Sequence, residues 1–315
     1  MPAIARSAQT MLLVVAGLLG CRSDRPPSGD ATPTGSDTHP EWSPDGMSIA
    51  FISNREGVRV DRAINFEVYR VGVDGSGEQR LTTNNDFDAD IAWSPDGSTL
   101  LFKSYQDGND EVYALDARSG AATNLTNSAA SDGGAAWSPD GTTIVFHSDR
   151  GDTGSSHLYL MNPDGSDVRS FPTDPGSGHS PRWSPDGRRI AFVSGRDGNA
   201  EIYVMDTDGG NVRRLTDDPA EDGYPRWSPD GTRIAYSAGS FDTDRWSVFV
   251  MDADGGNPRR LVDSTDSGNA SWSPDGTRLA FGRYRRYGEA GGDDSRLFIV
   301  RVDGLSPPSP VLSHR

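Results

Sequence analysis

One pentapeptide organises this chain, and its clearest copy reads Trp183-Ser184-Pro185-Asp186-Gly187. Proline fixes φ at the second position of a turn, and aspartate and glycine suit the two positions that follow. The same pentapeptide begins at six tryptophans, spaced 44 to 51 residues apart: Trp42, Trp93, Trp137, Trp183, Trp227 and Trp272. The chain therefore has to be interpreted as six copies of one structural unit.

Each copy predicts short strands joined by tight turns. After the copy at Trp183, strands are expected at 190–194, 201–205 and 212–216, with Asp208-Gly209 as a hairpin turn. The stretch 224–227, just before the next motif, supplies a fourth strand. Four short antiparallel strands in about 45 residues are typical of one propeller blade.

An aromatic residue follows every motif tryptophan at a distance of nine residues. The six aromatics are Phe51, Phe102, Phe146, Phe192, Tyr236 and Phe281. We expect the tryptophans and these aromatics to pack between adjacent blades, because a single blade cannot bury both of its faces. The fold class predicted for residues 37–315 is all-β, a six-bladed β-propeller of four-stranded antiparallel blades.

Composition agrees with this architecture and excludes one class of function. The 37 glycines and 21 prolines favour many turns over long helices. With 46 acidic and 30 basic side chains, the formal net charge is −16, and Lys103 is the only lysine. Such a chain has no general attraction to phosphate backbones, so we expect no nucleic-acid partner.

The N-terminus has the pattern of a targeting signal. Arg6 precedes an apolar run, 11–19, that is too short to span a bilayer but suits the core of a signal peptide. The run ends in Leu18-Leu19-Gly20-Cys21, which resembles a bacterial lipobox. This resemblance implies a signal peptide over 1–20, lipidation of Cys21 and a tether over 21–36. The alternative is an ordinary secretory signal with a leftover cysteine.

The repeated blade motif is similar to the WD-repeat-like propeller of TolB-type proteins over about residues 37–313. The similarity lies in Trp-Ser-Pro-Asp-Gly, then Ile-Ala-Phe-x-Ser, Glu-Ile-Tyr-Val-Met, Asp-Gly and Arg-Leu-Thr. The motif also resembles the N-terminal propellers of prolyl oligopeptidase-like peptidases. TolB itself has an α/β domain ahead of its propeller, where this chain has only the predicted tether. We therefore expect an envelope lipoprotein related to TolB but distinct from it.

Few residues suggest catalysis. No Gly-x-Ser-x-Gly nucleophile motif occurs in the chain. The five histidines are scattered and show no zinc-ligand spacing. We therefore expect no enzymatic activity, no metal site and no cofactor, with calcium at the channel mouth as the one exception to consider.

One column of residues does suggest a site. Five residues before the motif tryptophan stand Asp37, Asp88, Asp132, Gly178, Asp222 and Ser267. In a closed ring this position brings one residue per blade to the same end of the channel. Either the aspartates form an acidic rim for a cation or a basic segment, or each one accepts backbone N–H bonds in its own loop. Phe87, His179 and Tyr224 lie beside this column and differ between blades, so they are further candidates for recognition.

A basic aromatic block interrupts the acidic trend in the last repeat. Its residues are Arg283, Tyr284, Arg285, Arg286 and Tyr287. Arginine and tyrosine are enriched at binding hot spots, so the block is a candidate interaction loop, although a solvated loop is equally compatible with it.

These observations predict a lipid-anchored propeller in the bacterial envelope, on the periplasmic or outer-membrane face. Its predicted function is that of a protein-binding scaffold for envelope proteins of unknown identity. The alternative is a small-ligand binder or a lactonase-like enzyme with a cation at the channel mouth. Both functions are compatible with a propeller, because this fold hosts many activities.

Overall fold

A computed structural model describes residues 36–55, 65–84, 86–151, 154–171, 176–240, 245–262, 267–283, 296–304 and 307–311. These residues form 24 strands in six four-stranded sheets. The six-bladed propeller of antiparallel blades predicted from the sequence is confirmed. No helix in the described ranges is long and apolar enough to cross a membrane.

The strands follow chain order within every blade. Blade 1 contains β1 (Asp37–Trp42), β2 (Ser48–Ser53), β3 (Glu67–Gly72) and β4 (Gln79–Arg80). Blade 2 contains β5 (Asp88–Trp93), β6 (Thr99–Ser104), β7 (Glu111–Asp116) and β8 (Ala122–Asn124). Blade 3 contains β9 (Asp132–Trp137), β10 (Ile144–Ser148), β11 (His157–Met161) and β12 (Arg169–Ser170).

The second half of the ring repeats this arrangement. Blade 4 contains β13 (His179–Trp183), β14 (Arg189–Ser194), β15 (Glu201–Asp206) and β16 (Arg213–Arg214). Blade 5 contains β17 (Glu221–Trp227), β18 (Arg233–Ser240), β19 (Arg245–Asp252) and β20 (Arg259–Arg260). Blade 6 contains β21 (Ser267–Trp272), β22 (Arg278–Arg283), β23 (Arg296–Arg301) and β24 (Ser309–Pro310).

The strand before each motif tryptophan belongs to the blade that the tryptophan opens. Strand β17 pairs with β18, so the stretch before Trp227 does not complete the blade that starts at Trp183. The sequence prediction counted this stretch as the fourth strand of the blade that starts at Trp183, and the structure corrects that assignment. In every blade this strand is the innermost one, and it lines the axis of the ring.

The motif tryptophans and the aromatics nine residues later fill the space between blades, as expected. Trp93 and Phe102 of blade 2 share a core cluster with Ala50 and Val68 of blade 1. All six aromatics of this column are at most 3% exposed. The hydrophobic core is therefore a series of six interfaces between blades.

Each turn of the repeated motif is fixed by its own side chains. In blade 1 the Ser43 hydroxyl donates to Asp45 Oδ1 (2.6 Å), and the amide of Ser48 donates to Ser43 Oγ (3.0 Å). Gly46 has a φ of 70°, which glycine adopts without the penalty that a side chain brings. The turn is thus determined locally, which explains why the pentapeptide repeats without change.

The six junctions between blades use the same contacts. A Cβ on Gly97 would lie 3.7 Å from Pro44 Cδ of the preceding turn, and one on Gly46 would lie 3.6 Å from Pro274 Cδ. Blade 6 thus meets blade 1 as blade 1 meets blade 2. The amide of Trp42 also donates to Ser271 Oγ (3.1 Å) across this last junction. The ring closes by packing, since each sheet consists of four consecutive strands.

Candidate functional site

The four aspartates of the predicted rim are buried inside the blades. Asp37, Asp88, Asp132 and Asp222 lie at the beginning of the inner strands and are 0–1% exposed. Each pairs across the sheet with the last or near-last residues of the second strand, such as Ser53 for Asp37. The carboxylates therefore do not form an exposed acidic rim, and this part of the prediction is corrected by the structure.

Arginine side chains hold two of these carboxylates. Arg150 Nη2 donates to both oxygens of Asp132 (3.0 and 2.9 Å), and Arg55 Nη2 donates to Asp37 Oδ1 (2.5 Å). The Ser53 hydroxyl adds a bond to Asp37 Oδ1 (2.7 Å). Both carboxylates thus accept bonds from side chains, whereas the sequence suggested backbone N–H donors as the alternative to an exposed rim.

Asp88 has a weaker set of partners. Asn84 Nδ2 donates to both of its carboxylate oxygens (2.9 and 3.1 Å). Burial raises the pKa of Asp88 to about 7, because the neutral amide does not compensate for the lost solvation of the carboxylate.

Asp222 differs from the other three. Among the described residues, no donor bonds either of its carboxylate oxygens. Thr216 Oγ1 donates to Glu201 Oε2 (2.5 Å) instead. Burial raises the pKa of Asp222 to about 8; the adjacent Thr216 hydroxyl acts against this shift, and the charges of Asp218, Glu201 and Glu221 add to it. This carboxyl group is therefore protonated at neutral pH.

The residues that line the channel lie two positions further along the inner strands. Each inner strand has a register shift there, and the residue three before the motif tryptophan has a positive φ of 51–60°. These residues are His39, Asp90, Gly134, Ser180, Tyr224 and Asn269. A β-bulge changes the direction of side chains that strict alternation would place elsewhere.

Contacts between blades show that these side chains meet at the axis. The rings of His39 in blade 1 and Tyr224 in blade 5 have centroids 5.6 Å apart, with their planes at 78°. Asn269 Nδ2 donates to His39 Nε2 (3.1 Å). We call His39, Asp90, His147, His179, Tyr224 and Asn269 the channel cluster. His179 and Tyr224, both predicted as candidates, belong to it.

His147 lies on β10, the second strand of blade 3, and its ring reaches the channel. The inner strand of the same blade has a glycine at the bulge position. A Cβ on Gly134 would lie 2.6 Å from His147 Nδ1, so the absence of a side chain there makes room for the imidazole. The His147 ring lies 6.3 Å from that of His179. Lys103 occupies the equivalent position in blade 2, where its Nζ lies 3.3 Å from Asp110 Oδ2 and 5.6 Å from the Phe87 ring centroid.

Burial determines the charge of the channel cluster. It lowers the pKa of His39 and His179 to about 4 and that of His147 to about 3, so all three imidazoles are neutral at pH 7. Burial alone would raise the pKa of Asp90, but Lys103 and the other nearby basic groups together hold it below its usual range. Asp90 is therefore a carboxylate among neutral rings.

A second layer crosses the channel below the cluster. Arg226 Nη2 lies 3.3 Å from Glu41 Oε2, and these residues come from blades 5 and 1. Within the described residues, no group of three or more His, Cys, Asp or Glu side chains is arranged to hold a metal ion. The channel is thus filled by side chains that contact one another across the axis.

The end of the ring at which the inner strands begin carries exposed acidic side chains. We call this end the entry face and define it by its exposed residues Tyr105, Asp107, Asp149, Asp197, Asp217 and Asp218. Of the basic side chains at the same end, Arg196, Arg245 and Arg283 are exposed, whereas Arg55 and Arg150 are turned inward. Arg55 lies over the rings of Phe51 and Tyr69 at 5.1 and 5.3 Å, with only 13% of its side chain exposed.

The remaining predicted site residues lie at or beyond the edge of the described chain. Arg283 ends β22, is exposed, and places its guanidinium carbon 5.8 Å from the centroid of the Phe298 ring. Cys21 and the rest of the basic aromatic block (Tyr284, Arg285, Arg286 and Tyr287) lie outside the described residues.

Comparison with known proteins agrees with the architecture. The family model of the TolB beta propeller domain matches residues 89–175 and 170–289. A TolB homolog of Chlorobium luteolum is 30% identical over 154 residues, which are 49% of this chain and 33% of that protein. The chain thus aligns with about a third of the length of this relative.

Two solved structures share the propeller along most of its length. The putative TolB from Agrobacterium tumefaciens has a TM-score of 0.62 at 27% identity, and the match covers 86% of this chain and 91% of that one. TolB from Acinetobacter baumannii also has a TM-score of 0.62, at 22% identity, with 88% and 63% of the two chains covered. The second match, at 22% identity, supports a shared fold and nothing more specific.

Proposed function

Because the chain belongs to the TolB beta propeller domain family, we propose that it is a non-catalytic protein-binding scaffold of the bacterial envelope. The binding surface in this proposal is the entry face, and the partner is an envelope protein that presents a basic segment. The sequence pattern ending at Cys21 supports a lipid anchor, and no cofactor is part of the proposal.

The observation that carries the proposal is the charge of the entry face. Asp107, Asp149, Asp197, Asp217 and Asp218 are exposed there. By contrast, Arg150 is bonded to buried Asp132 and has 22% of its side chain exposed. The exposed aspartates of this face outnumber its exposed arginines (Arg196, Arg245 and Arg283), and a surface with an excess of negative charge attracts a cationic partner and orients it during encounter.

Exposed aromatic area adds to this charge. Tyr105 is 50% exposed on the β6–β7 loop, two residues from Asp107. Tyrosine contributes rigid contact area at protein interfaces, and aspartate beside it adds selectivity for basic residues. The entry face therefore offers both apolar contact and charge complementarity.

Photo-crosslinking from matched positions tests the proposal. A benzoylphenylalanine at Tyr105 is expected to give a discrete crosslinked product in the envelope of the native host. The control is the same group at Met47, which is 71% exposed on the opposite end of the ring. Equal products from both positions, or none from Tyr105, would contradict the assignment of the entry face.

Charge reversal tests the role of the aspartates. The double variant Asp107→Lys/Asp217→Lys is expected to lose the Tyr105 product, and raised salt is expected to weaken it in the parent. Asp208→Lys, an exposed change at a β-turn on the other end, is the control and should retain the product. A product insensitive to both changes would show that charge is not what the partner recognises.

The anchor is tested separately. Cys21→Ser is expected to move the protein from the membrane fraction to soluble or unprocessed forms, because the variant has no thiol to acylate. Unchanged detergent-dependent membrane association of this variant would refute lipidation at Cys21.

A further inference from the structure

The motif tryptophans are covered unequally at the end of the ring opposite the entry face. We call this end, which carries the six Ser-Pro-Asp-Gly turns, the exit face. Arg189, Arg233 and Arg278 begin the second strands of blades 4, 5 and 6, six residues after the motif tryptophan. The guanidinium carbon of each lies 4.8–4.9 Å from the centroid of the tryptophan ring of the next blade. The rings covered in this way are those of Trp227, Trp272 and Trp42.

Blades 2 and 3 have threonine where this arginine stands. Thr99 and Thr143 occupy the position, at the junctions with Trp137 and Trp183 of the following blades. Among the described residues, no arginine or lysine lies over either of these two rings. Both tryptophans are partly exposed, whereas the three covered ones are only 4–8% exposed. The shorter side chain thus leaves two indole rings accessible at the exit face.

The carboxylate that accompanies the arginine is retained at both junctions. In blades 4 to 6, hydrogen bonds from the motif serine and from the turn lower the pKa of the turn aspartate, and the charge of the arginine three residues later adds to this effect. The equivalent aspartates of blades 2 and 3, Asp96 and Asp140, are exposed. Each accepts the same bond from its motif serine (2.6 Å). Each junction therefore has the carboxylate and the aromatic ring of an arginine site, without the arginine.

We propose that the exit face of blades 2 to 4 is a docking surface for a partner protein whose arginine side chains lie on Trp137 and Trp183. This surface is separate from the entry face, so the inference goes beyond the proposed function. A guanidinium stacks on an indole face and is attracted by a nearby carboxylate, and it stacks better than an ammonium does. The chain itself places arginine on the tryptophan at three of its six junctions, which identifies the chemistry of the occupant.

The surface extends over two adjacent junctions. Both junctions involve blade 3, so a partner that presents two arginines can use them together and gain from the second contact. Ser48 stands at the same position in blade 1, but Trp93 is only 9% exposed, and that junction is not part of the surface. Met47, also in blade 1, lies outside it as well.

The test measures binding of a basic peptide to the full chain, purified in detergent and labelled with fluorotryptophan. Fluorine NMR then gives one signal for each of the seven tryptophans, and single Trp→Phe variants assign them. The probe is acetyl-hexaarginine-amide at about 0.15 M salt, and hexalysine of the same charge is the matched probe. We expect hexaarginine to shift the signals of Trp137 and Trp183 with a Kd of about 0.01–1 mM and to leave Trp227 and Trp272 unmoved. Hexalysine should bind there at least about threefold more weakly.

A pair of double variants locates the site. Thr99→Arg/Thr143→Arg places the chain's own arginines over both rings, so it is expected to weaken the response of these two signals at least about tenfold. Ser98→Arg/Thr142→Arg is the matched control, because it adds the same charge one residue earlier, at exposed positions. Arginine is natural at that position in blade 4, where it is Arg188. The control should weaken the response by less than about threefold.

A reverse variant tests the same reasoning at a covered ring. Arg278→Thr removes the cover of Trp42, so the Trp42 signal is expected to respond to hexaarginine in this variant and not in the parent.

Four results would overturn the inference. They are unmoved Trp137 and Trp183 signals, an equal response to hexalysine, equal weakening by the two double variants, and a silent Trp42 signal in Arg278→Thr. If the same signals move with the concentration of the chain alone, and the chain sediments as a dimer, the surface binds a second copy and the assignment to a partner is wrong. Loss of the Tyr105 crosslinks would end the proposed function without affecting this inference.

Discussion

Replacing Asp222 by asparagine should stabilise the protein, and the gain should grow with pH. The pKa of this carboxyl is raised from 3.8 to about 8 in the folded protein. In the unfolded chain Asp222 releases its proton near the ordinary aspartate pKa of 3.8, whereas in the folded chain it retains the proton up to about pH 8. The folded state therefore binds more protons between these two values, and the free energy of unfolding falls as the pH rises through this window.

The size of the effect follows from the shift. Each pKa unit corresponds to about 1.4 kcal/mol, so a shift of about four units gives about 6 kcal/mol at pH above 8. Water in the adjacent cavity of about 30 Å³ would offset part of this cost by hydrating the carboxylate. We expect Asp222→Asn to gain about 2–6 kcal/mol at pH 9 and close to nothing at pH 4.

Urea unfolding followed by tryptophan fluorescence at several pH values measures this gain. Asp88, whose pKa is also raised, titrates in both proteins and cancels in their difference. Asp132→Asn is the control with the opposite sign, because it leaves the guanidinium of Arg150 without its carboxylate. A difference between Asp222→Asn and the parent that is constant from pH 4 to pH 9, or that shrinks, would refute the argument.

Three further predictions concern the packing of the ring, and thermal or urea melting measures each of them. Arg150→Ala should lower the free energy of unfolding by about 3–5 kcal/mol, because it leaves a buried carboxylate unpaired. Its control, Arg169→Ala, removes an exposed pair and should lower it by less than about 1 kcal/mol. Similar losses would mean that burial of the pair does not matter. Gly134→Ala should destabilise the protein by well over the roughly 1–2 kcal/mol that alanine costs in the left-handed region, because the new Cβ would lie 2.6 Å from an imidazole nitrogen. Gly77→Ala has open space around it and should show only the backbone cost. Equal losses would argue against the steric explanation. Ser271→Ala removes the acceptor of a buried amide at the junction of blades 6 and 1 and should cost about 1–3 kcal/mol; no change would show that this bond does not hold the ring closed.

The blades could be predicted because their determinants are local and repeat without change. The Ser43–Asp45 bond that fixes one turn recurs at the other five, and a column that is identical in every copy is visible in the sequence. The position of the aspartate column was also visible, since four of its six members are aspartate. Its burial was not, because it depends on packing within each blade: Arg55 and Arg150 pair two of the carboxylates, whereas Asp88 and Asp222 are buried without an arginine at that position.

The channel cluster left little trace in the sequence. The column three residues before the tryptophan contains six different residue types, so no repeat marks it. The bulge that turns these residues toward the axis interrupts the alternation on which strand predictions depend. One signal was available in retrospect: Gly134 has no side chain at this position, and His147, in the same blade, is the only histidine at its position in the second strands.

Closure by packing alone makes the blades equivalent in a topological sense. Among the described strands none is exchanged between the first and last blade, and the contact of Pro274 with Gly46 is of the same kind as that of Pro44 with Gly97. A circular permutant with its new termini between any two blades would therefore preserve every sheet and all six packing junctions. It would lack only the peptide connection between those two blades. Recombination could likewise add, remove or exchange whole blades without cutting a sheet. Features that belong to one blade, such as the buried carboxyl group of Asp222, are then portable units that can be altered while the other five blades maintain the ring.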